Sequence, residues 1–340
     1  MKFVIITALF LLLPLTATSA LDLDSTYVVQ LRRGINYTIV EQFDSARIVF
    51  KQMLATDSLD HAARLYLAGV DHAEMMDRED YSRKDRFEAD ADATIQLAEL
   101  DLGAGRDSAW AYLTIGNAHA YVASLEAKAG SWWTAMRRGL KAKGAYLDAL
   151  KIDRNLYDAY LGLGTYHYWK SAKTEFINWL PFVGDRKDDG VSELQLAVDS
   201  SLFSSDLARN SLIWIQLERK EPQLALENAR ELSAKFPQSR LIKWGMAFSC
   251  YAAGRMHEAV NYFGEIVTSL ESDSTQNYFN LIECRYHRGK IFLSVNDSTA
   301  ARQEFQILLG YPASSEIRDR QKGKISECKR LLRDLEKQRN

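Results

Sequence analysis

Proline is scarce in this chain, with five in 340 residues, and one of those, Pro14, lies in the first twenty. Proline inside a helix removes a hydrogen bond and clashes with the preceding turn, so its rarity permits long uninterrupted helices. Cysteine is scarcer: Cys250, Cys284 and Cys328 number three, and their spacing fits no metal pattern. They read as small buried apolar residues, and no disulfide framework is expected. Charge of one sign is lacking too. The balance of 43 basic and 45 acidic residues gives −2, which leaves no footprint for nucleic acid or for an anionic membrane surface. No Gly-x-Ser-x-Gly elbow and no His-Glu-x-x-His pair occurs. No strand-like alternation appears, and no second long apolar run follows the first twenty residues. Neither an enzyme nor a cofactor is expected.

What is present begins with a leader. Lys2 is a minimal positive region, residues 3–13 are an apolar core, and residues 16–20 are small and polar. The apolar run is shorter than the ~20 residues of a transmembrane helix and reads as a secretory signal cleaved near Ala20. An uncleaved anchor is the alternative. The expectation is export to the periplasm or the extracellular space.

The rest of the chain repeats itself. Ile115-Gly116 recurs as Leu163-Gly164, His119 as His167, Tyr146 as Leu194 and Ala149 as Ala197, each 48 residues on. Residues 60–107 align to the same frame, with Ala63, Ala111 and Ala159 in one row and Leu65, Leu113 and Leu161 in another. Self-similarity at fixed period marks stacked supersecondary units, here helical hairpins. Segment boundaries follow: a signal at 1–20, a first hairpin at 21–59, three extended 48-residue units at 60–203, three shorter units at 204–313 and one closing helix at 314–340. Asp44-Ser45 reads as the turn and helix start of the first hairpin, and Gly254-Arg255 as a later turn. The extra residues of the first two long units are expected to lengthen both helices, because Ala, Glu, Met and Lys dominate there. In the third, Pro181 and Gly184 break the helix and make a loop at 179–185.

At Ala142, Tyr146, Ala149, Ile152 and Asp153-Arg154-Asn155, followed by Tyr160, Leu163 and Gly164, the pattern resembles the tetratricopeptide repeat. The family usually has proline where Arg154 stands, and Pro237 fits that slot in a later unit. The resemblance spans residues 27–313. A local likeness, Gly164-Thr165-Tyr166, Leu180-Pro181, Gly184-Asp185-Arg186 and Gly190, is similar to bacterial exported tetratricopeptide proteins and to a eukaryotic family tied to mitochondrial-outer-membrane inclusion clearance. The resemblance implies an all-α solenoid of about seven hairpins plus a capping helix, which binds peptide segments in its concave groove and catalyses no reaction.

Several constellations resemble chemical sites. His119 and His167 invite a metal, with Asp71 at the equivalent slot one repeat earlier, but packed helices lie ~8–10 Å apart, too far for one ion to be shared. Glu88, Asp90, Asp92 and Glu99 match positions of a calcium loop, yet Ala93 replaces the required glycine. Gly162-Leu163-Gly164 lacks a preceding strand and is repeat packing. The aromatic excess is more informative: five of seven tryptophans and seven of sixteen tyrosines fall between 108 and 203. Most fill hairpin interfaces. Asn117, Tyr121, Thr165 and Trp169, with Tyr168 beside them, lie opposite the packing rows, at ~100° per residue. Together with Trp179 and Phe182 of the broken segment, they are the expected binding residues, suited to a protein or peptide partner. Two alternatives stay open: a small or lipid-like apolar ligand in a pocket of the extended repeats, and a structural homo-oligomer. Peripheral association with the envelope is compatible with all three, and a nucleic acid with none.

Overall fold

A computed structural model describes residues 25–106, 108–173 and 184–337. The leader, Trp179 and Phe182 lie outside the described residues, as does the loop at 179–185 up to residue 183. The described residues hold sixteen helices and no strand. Seven hairpins follow one another: α1 (Ser25–Ile39) with α2 (Phe43–Thr56), α3 (His61–Arg78) with α4 (Lys84–Gly103), α5 (Ser108–Lys128) with α6 (Trp132–Ile152), α7 (Ala159–Lys173) with α8 (Lys187–Ser200), α9 (Ser205–Glu218) with α10 (Pro222–Lys235), α11 (Arg240–Ala252) with α12 (Met256–Glu271), and α13 (Phe279–Ser294) with α14 (Ser298–Gly310). Then come α15 (Ser315–Arg320) and α16 (Lys322–Lys337). The chain is an all-α solenoid of tetratricopeptide-like hairpins.

Helix length follows composition. α5 and α6 have 21 residues each, against 15 and 14 in α1 and α2, so the added residues do lengthen both helices. α7 and α8 return to 15 and 14, which leaves the added residues of that unit in their connection.

The turns share one device. Glu41, Glu79, Gly130, Lys220, Gly254 and Asn296 each take positive φ between the helices of a hairpin. In every case the next residue donates its N–H to the carbonyl five positions back, as Ser131 does to Glu126 and Arg255 to Cys250. This is the Schellman closure, which satisfies the carbonyls a helix end leaves unpaired. It corrects the expected turn at Asp44-Ser45. α2 already begins at Phe43, and Glu41 makes the reversal.

The repeated glycines mark close approach. A Cβ on Gly116 would lie 2.5 Å from the Tyr146 ring, and one on Gly162 would lie 2.1 Å from it. Tyr146 is thus wedged between its own hairpin and the next. One repeat on, Leu194 replaces the tyrosine, and α7 and α8 close until a Cβ on Gly164 would lie 2.7 Å from the Gly190 carbonyl.

First helices contact one another in the series α1–α3–α5–α7–α9–α11, and second helices sit against the first helices on either side of them. The first helices therefore form one layer and the second helices the other. The solenoid curls back on itself. The Glu41 carboxylate accepts the N–H groups of Arg240 and Leu241, both at 3.0 Å, and Ser239 Oγ donates to the Ile39 carbonyl at 2.6 Å. Arg240 forks onto Asp77, Asn280 donates to the Asp77 carbonyl, and Arg320 reaches Glu79 at 2.5 Å. These pairs are 163 to 241 residues apart in sequence. They form a seam between the first two hairpins and the last third of the chain.

The single closing helix expected at 314–340 is broken after Arg320. Gln321 is buried, and its side chain donates to the Phe279 carbonyl and to Glu283, which holds the backbone at the bend. All three cysteines are free and buried. Burial pushes the Cys250 thiol up to about 11 and the Cys328 thiol up to about 12.

Candidate functional site

The layer of first helices carries most of the expected binding residues, and the structure divides them. Asn117 is half-buried, and its Oδ1 accepts the Tyr146 hydroxyl at 2.9 Å. Tyr121 stacks on His72 with ring centroids 5.0 Å apart and lies over Gly69, where a Cβ would come within 3.2 Å of its hydroxyl. His72 Nε2 in turn meets Ser124 Oγ at 2.6 Å. Burial lowers the His72 imidazole to about 4 and raises the Tyr121 phenol to about 12, so both are neutral near pH 7. Asn117 and Tyr121, with His72 and Ser124, thus make an uncharged strip of ring, amide and hydroxyl groups across α3 and α5.

Thr165 and Trp169 are half-buried on α7. Tyr168 is a correction. It is fully buried, donates its hydroxyl to Glu218 and meets the Trp169 ring edge-on at 5.4 Å. Its ring fills the core between α7, α8 and α9, with Leu194, Val198 and Leu212, and presents no surface to a ligand. Trp179 and Phe182 lie outside the described residues.

Two residues absent from the sequence expectation shape this layer. Buried Asp158 accepts the N–H groups of Leu202 and Phe203, at 2.9 and 2.8 Å, and the Ser204 hydroxyl at 2.7 Å. The clamped loop sets Phe203 against Tyr66 and Trp110, at 6.3 and 5.7 Å, while Arg32 donates to the Leu202 carbonyl. A signal existed. Asp158 stands 48 residues after Trp110 and 96 after Ala62, so a carboxylate occupies a slot that is apolar in the two preceding units.

The histidines of the 48-residue frame take part in polar latches between the layers. Arg138 donates to both Asp92 oxygens, at 2.7 and 2.9 Å, and to His119 Nδ1 at 3.2 Å. Burial first, then the Arg138 charge, lowers His119 to about 4. Arg186, 48 residues after Arg138, approaches His167 Nε2 at 2.5 Å, and His167 Nδ1 lies 2.7 Å from Glu193. A ring accepting from Arg186 carries its proton on Nδ1 and donates it to Glu193. Asp71 at the equivalent slot takes Arg47 at 2.6 Å. Both imidazoles are thus engaged by protein partners, and Asp92 of the calcium-like run is spent on Arg138.

One cavity lies between the first hairpin and the first extended repeat, and another within the extended repeats. The first, of about 320 Å³, has Arg47, Lys51, Arg64, Asp71, Arg83 and Arg86 in its wall. The other, of about 400 Å³, has Asp92, Glu99, His119, Arg137 and Lys141. The first wall also carries Leu54, Leu67, Ala68 and Phe87, so it is mixed, whereas the second is mainly charged and polar.

No protein-family model matches this chain, and no curated protein matches it in sequence. Solved structures do resemble it in shape. A chain of the APC/C hetero-tetramer Cut9–Hcn1 superposes with a TM-score of 0.51 at 13% identity, over 83% of this chain and 44% of that one. This chain therefore spans less than half of its length. A tetratricopeptide repeat protein from Parabacteroides merdae gives 0.38 at 15% identity, over 91% and 98% of the two chains. The P58(IPK) TPR domain gives 0.26 at 15%, over 91% and 80%. At such identity the first likeness shows the fold alone, a tetratricopeptide-like α-solenoid, and the lower scores add nothing to it.

Proposed function

We propose that this chain is an exported, non-catalytic scaffold of the cell envelope that binds a protein segment along its layer of first helices. The observation that carries the reading is the strip across α3 and α5, continued by Thr165 and Trp169 on α7. Half-buried rings beside amide and hydroxyl groups on rigid helices bind an extended or helical segment with little ordering of the scaffold. The resemblance to tetratricopeptide repeats agrees with this use, and the leader at 1–20 supports export. The apolar-ligand alternative finds no mainly apolar cavity to occupy, since both walls carry several charged side chains.

The test is recovery of partners from cells with the tagged full chain, compared between variants. Thr165→Arg places a long cation in the strip and is expected to abolish recovery of a specific partner. Ile48→Arg, at an exposed position of α2, is expected to leave it unchanged. Equal recovery by both variants, at equal melting temperature, contradicts the assignment to the first-helix layer.

A further inference from the structure

The second helix of the third hairpin turns an apolar face to solvent. Trp132, Trp133, Met136, Leu140 and Leu147 of α6 are 62, 74, 50, 52 and 39% exposed. Trp133, Leu140 and Leu147 recur every seven residues, so they align along the helix, with Met136 on one side and Arg137 and Lys141 on the other. At ~1.5 Å per residue the stripe is about 21 Å long.

Charge singles out what covers it. Residues 127–147 contain Lys128, Arg137, Arg138, Lys141 and Lys143 and no Asp or Glu, in a chain whose overall charge is −2. Glu79 engages Lys128 and Asp92 engages Arg138. Lys143 lies over the Tyr166 ring. Arg137 and Lys141 line one cavity with Asp92 and Glu99 but form no ion pair within 4 Å among the described residues. Asp148, the acid on α6, is paired with Lys151. A two-fold contact between copies of this face would set cations against cations. An anionic headgroup layer instead offers a counter-charge to every cation and an interface that accommodates indole rings and snorkelling Lys and Arg stems. No helix among the described residues is long and apolar enough to cross a membrane, so contact of this kind is peripheral.

We propose that α6 docks the protein onto an anionic lipid bilayer, lying in the plane of the surface with Trp133, Leu140 and Leu147 in the headgroup region. The inference is independent of the reading above. α6 belongs to the layer of second helices, so docking leaves the first-helix layer free.

Flotation of the full chain with vesicles tests this. The leader is common to every variant, so differences between variants report on α6. The wild type is expected to float with phosphatidylcholine–phosphatidylglycerol vesicles, to stay behind with phosphatidylcholine alone, and to be released by high salt. Arg137→Gln with Lys141→Gln should lower partitioning roughly twenty-five-fold, from about fivefold per cation. Trp132→Ser with Trp133→Ser should lower it by about tenfold or more, with an unchanged melting temperature because both rings are exposed. Failure of the wild type to float, or equal flotation of all variants, overturns the proposal. So does a wild-type dimer that the tryptophan variant dissociates while flotation stays the same.

Discussion

Gly164 and Gly190 are the residues on which the fourth hairpin depends most. A methyl on either glycine would press on the other's carbonyl at 2.7 Å, and on Gly190 it would also meet the Tyr168 N–H at 2.8 Å. Alanine ordinarily gains about 1 kcal/mol over glycine inside a helix. Here overpacking reverses the sign, and Gly190→Ala is expected to destabilise by about 1–3 kcal/mol in urea unfolding. A stabilised variant would show that α7 and α8 are not in backbone contact. Histidines supply a second prediction at this scale. His72 and His119 are lowered to about 4 from an ordinary 6.5, chiefly by burial. Between those values the unfolded chain binds protons that the folded chain refuses, so their stabilising share is whole above pH 6.5 and is lost as the pH falls towards 4. The melting temperature should drop across that window, and less steeply in His72→Gln. Glu41, raised to about 7 by burial, acts in the opposite sense over part of the window, so the comparison with the variant decides. An identical slope in the wild type and His72→Gln would show that the His72 imidazole is protonated in the fold.

Helices and hairpins were the most legible level of the sequence, and the loops between them the least. Small and aromatic residues at 48-residue spacing mark stacked helical hairpins, because a ring packed on a glycine, as Tyr146 is on Gly116, leaves a periodic trace. Of the turns, Gly254-Arg255 was legible because glycine favours positive φ. Four of the six positive-φ residues between the helices of a hairpin, however, are Glu41, Glu79, Lys220 and Asn296, which lack that glycine signal. Tyr168 was misassigned for a related reason. A helical wheel separates packed from open faces of one hairpin, but Glu218, which receives the Tyr168 hydroxyl, lies 50 residues on in the next. Asp158 belongs to this scale, since one buried carboxylate organises the whole connection from α8 to α9. Asp158→Ala would leave two N–H groups and a hydroxyl without their acceptor, at about 1–3 kcal/mol for each buried donor. A loss of at least about 2 kcal/mol is expected. A near-neutral change would mean that water replaces the carboxylate.

At the scale of the whole molecule, the seam makes a curled body out of an open array. It was invisible in the sequence because its pairs are 163 to 241 residues apart and involve turn residues outside the repeat. The −2 overall charge likewise concealed the basic run of residues 127–147, since an average cannot show segregation. Arg240 and Asp77 are 11 and 13% exposed at their side chains, so they form a largely buried pair. Truncating one partner of such a pair costs about 3–5 kcal/mol, because the other is left charged and alone. Arg240→Ala is expected to cost about 3 kcal/mol and to raise the radius of gyration in small-angle scattering, while Asp77→Ala with Arg240→Ala costs less than the sum of the singles. Unchanged scattering and additive losses would show that the seam does not hold the two ends together. The central claim, that a protein segment lies along the first helices, is tested most directly by a photo-crosslinking side chain placed at single positions in living cells. At Thr165 and Asn117 it is expected to trap one discrete partner of the same mass, and at the exposed second-helix positions Ile48 and Leu224 none. Adducts from Ile48 or Leu224, with none from Thr165 or Asn117, would contradict it.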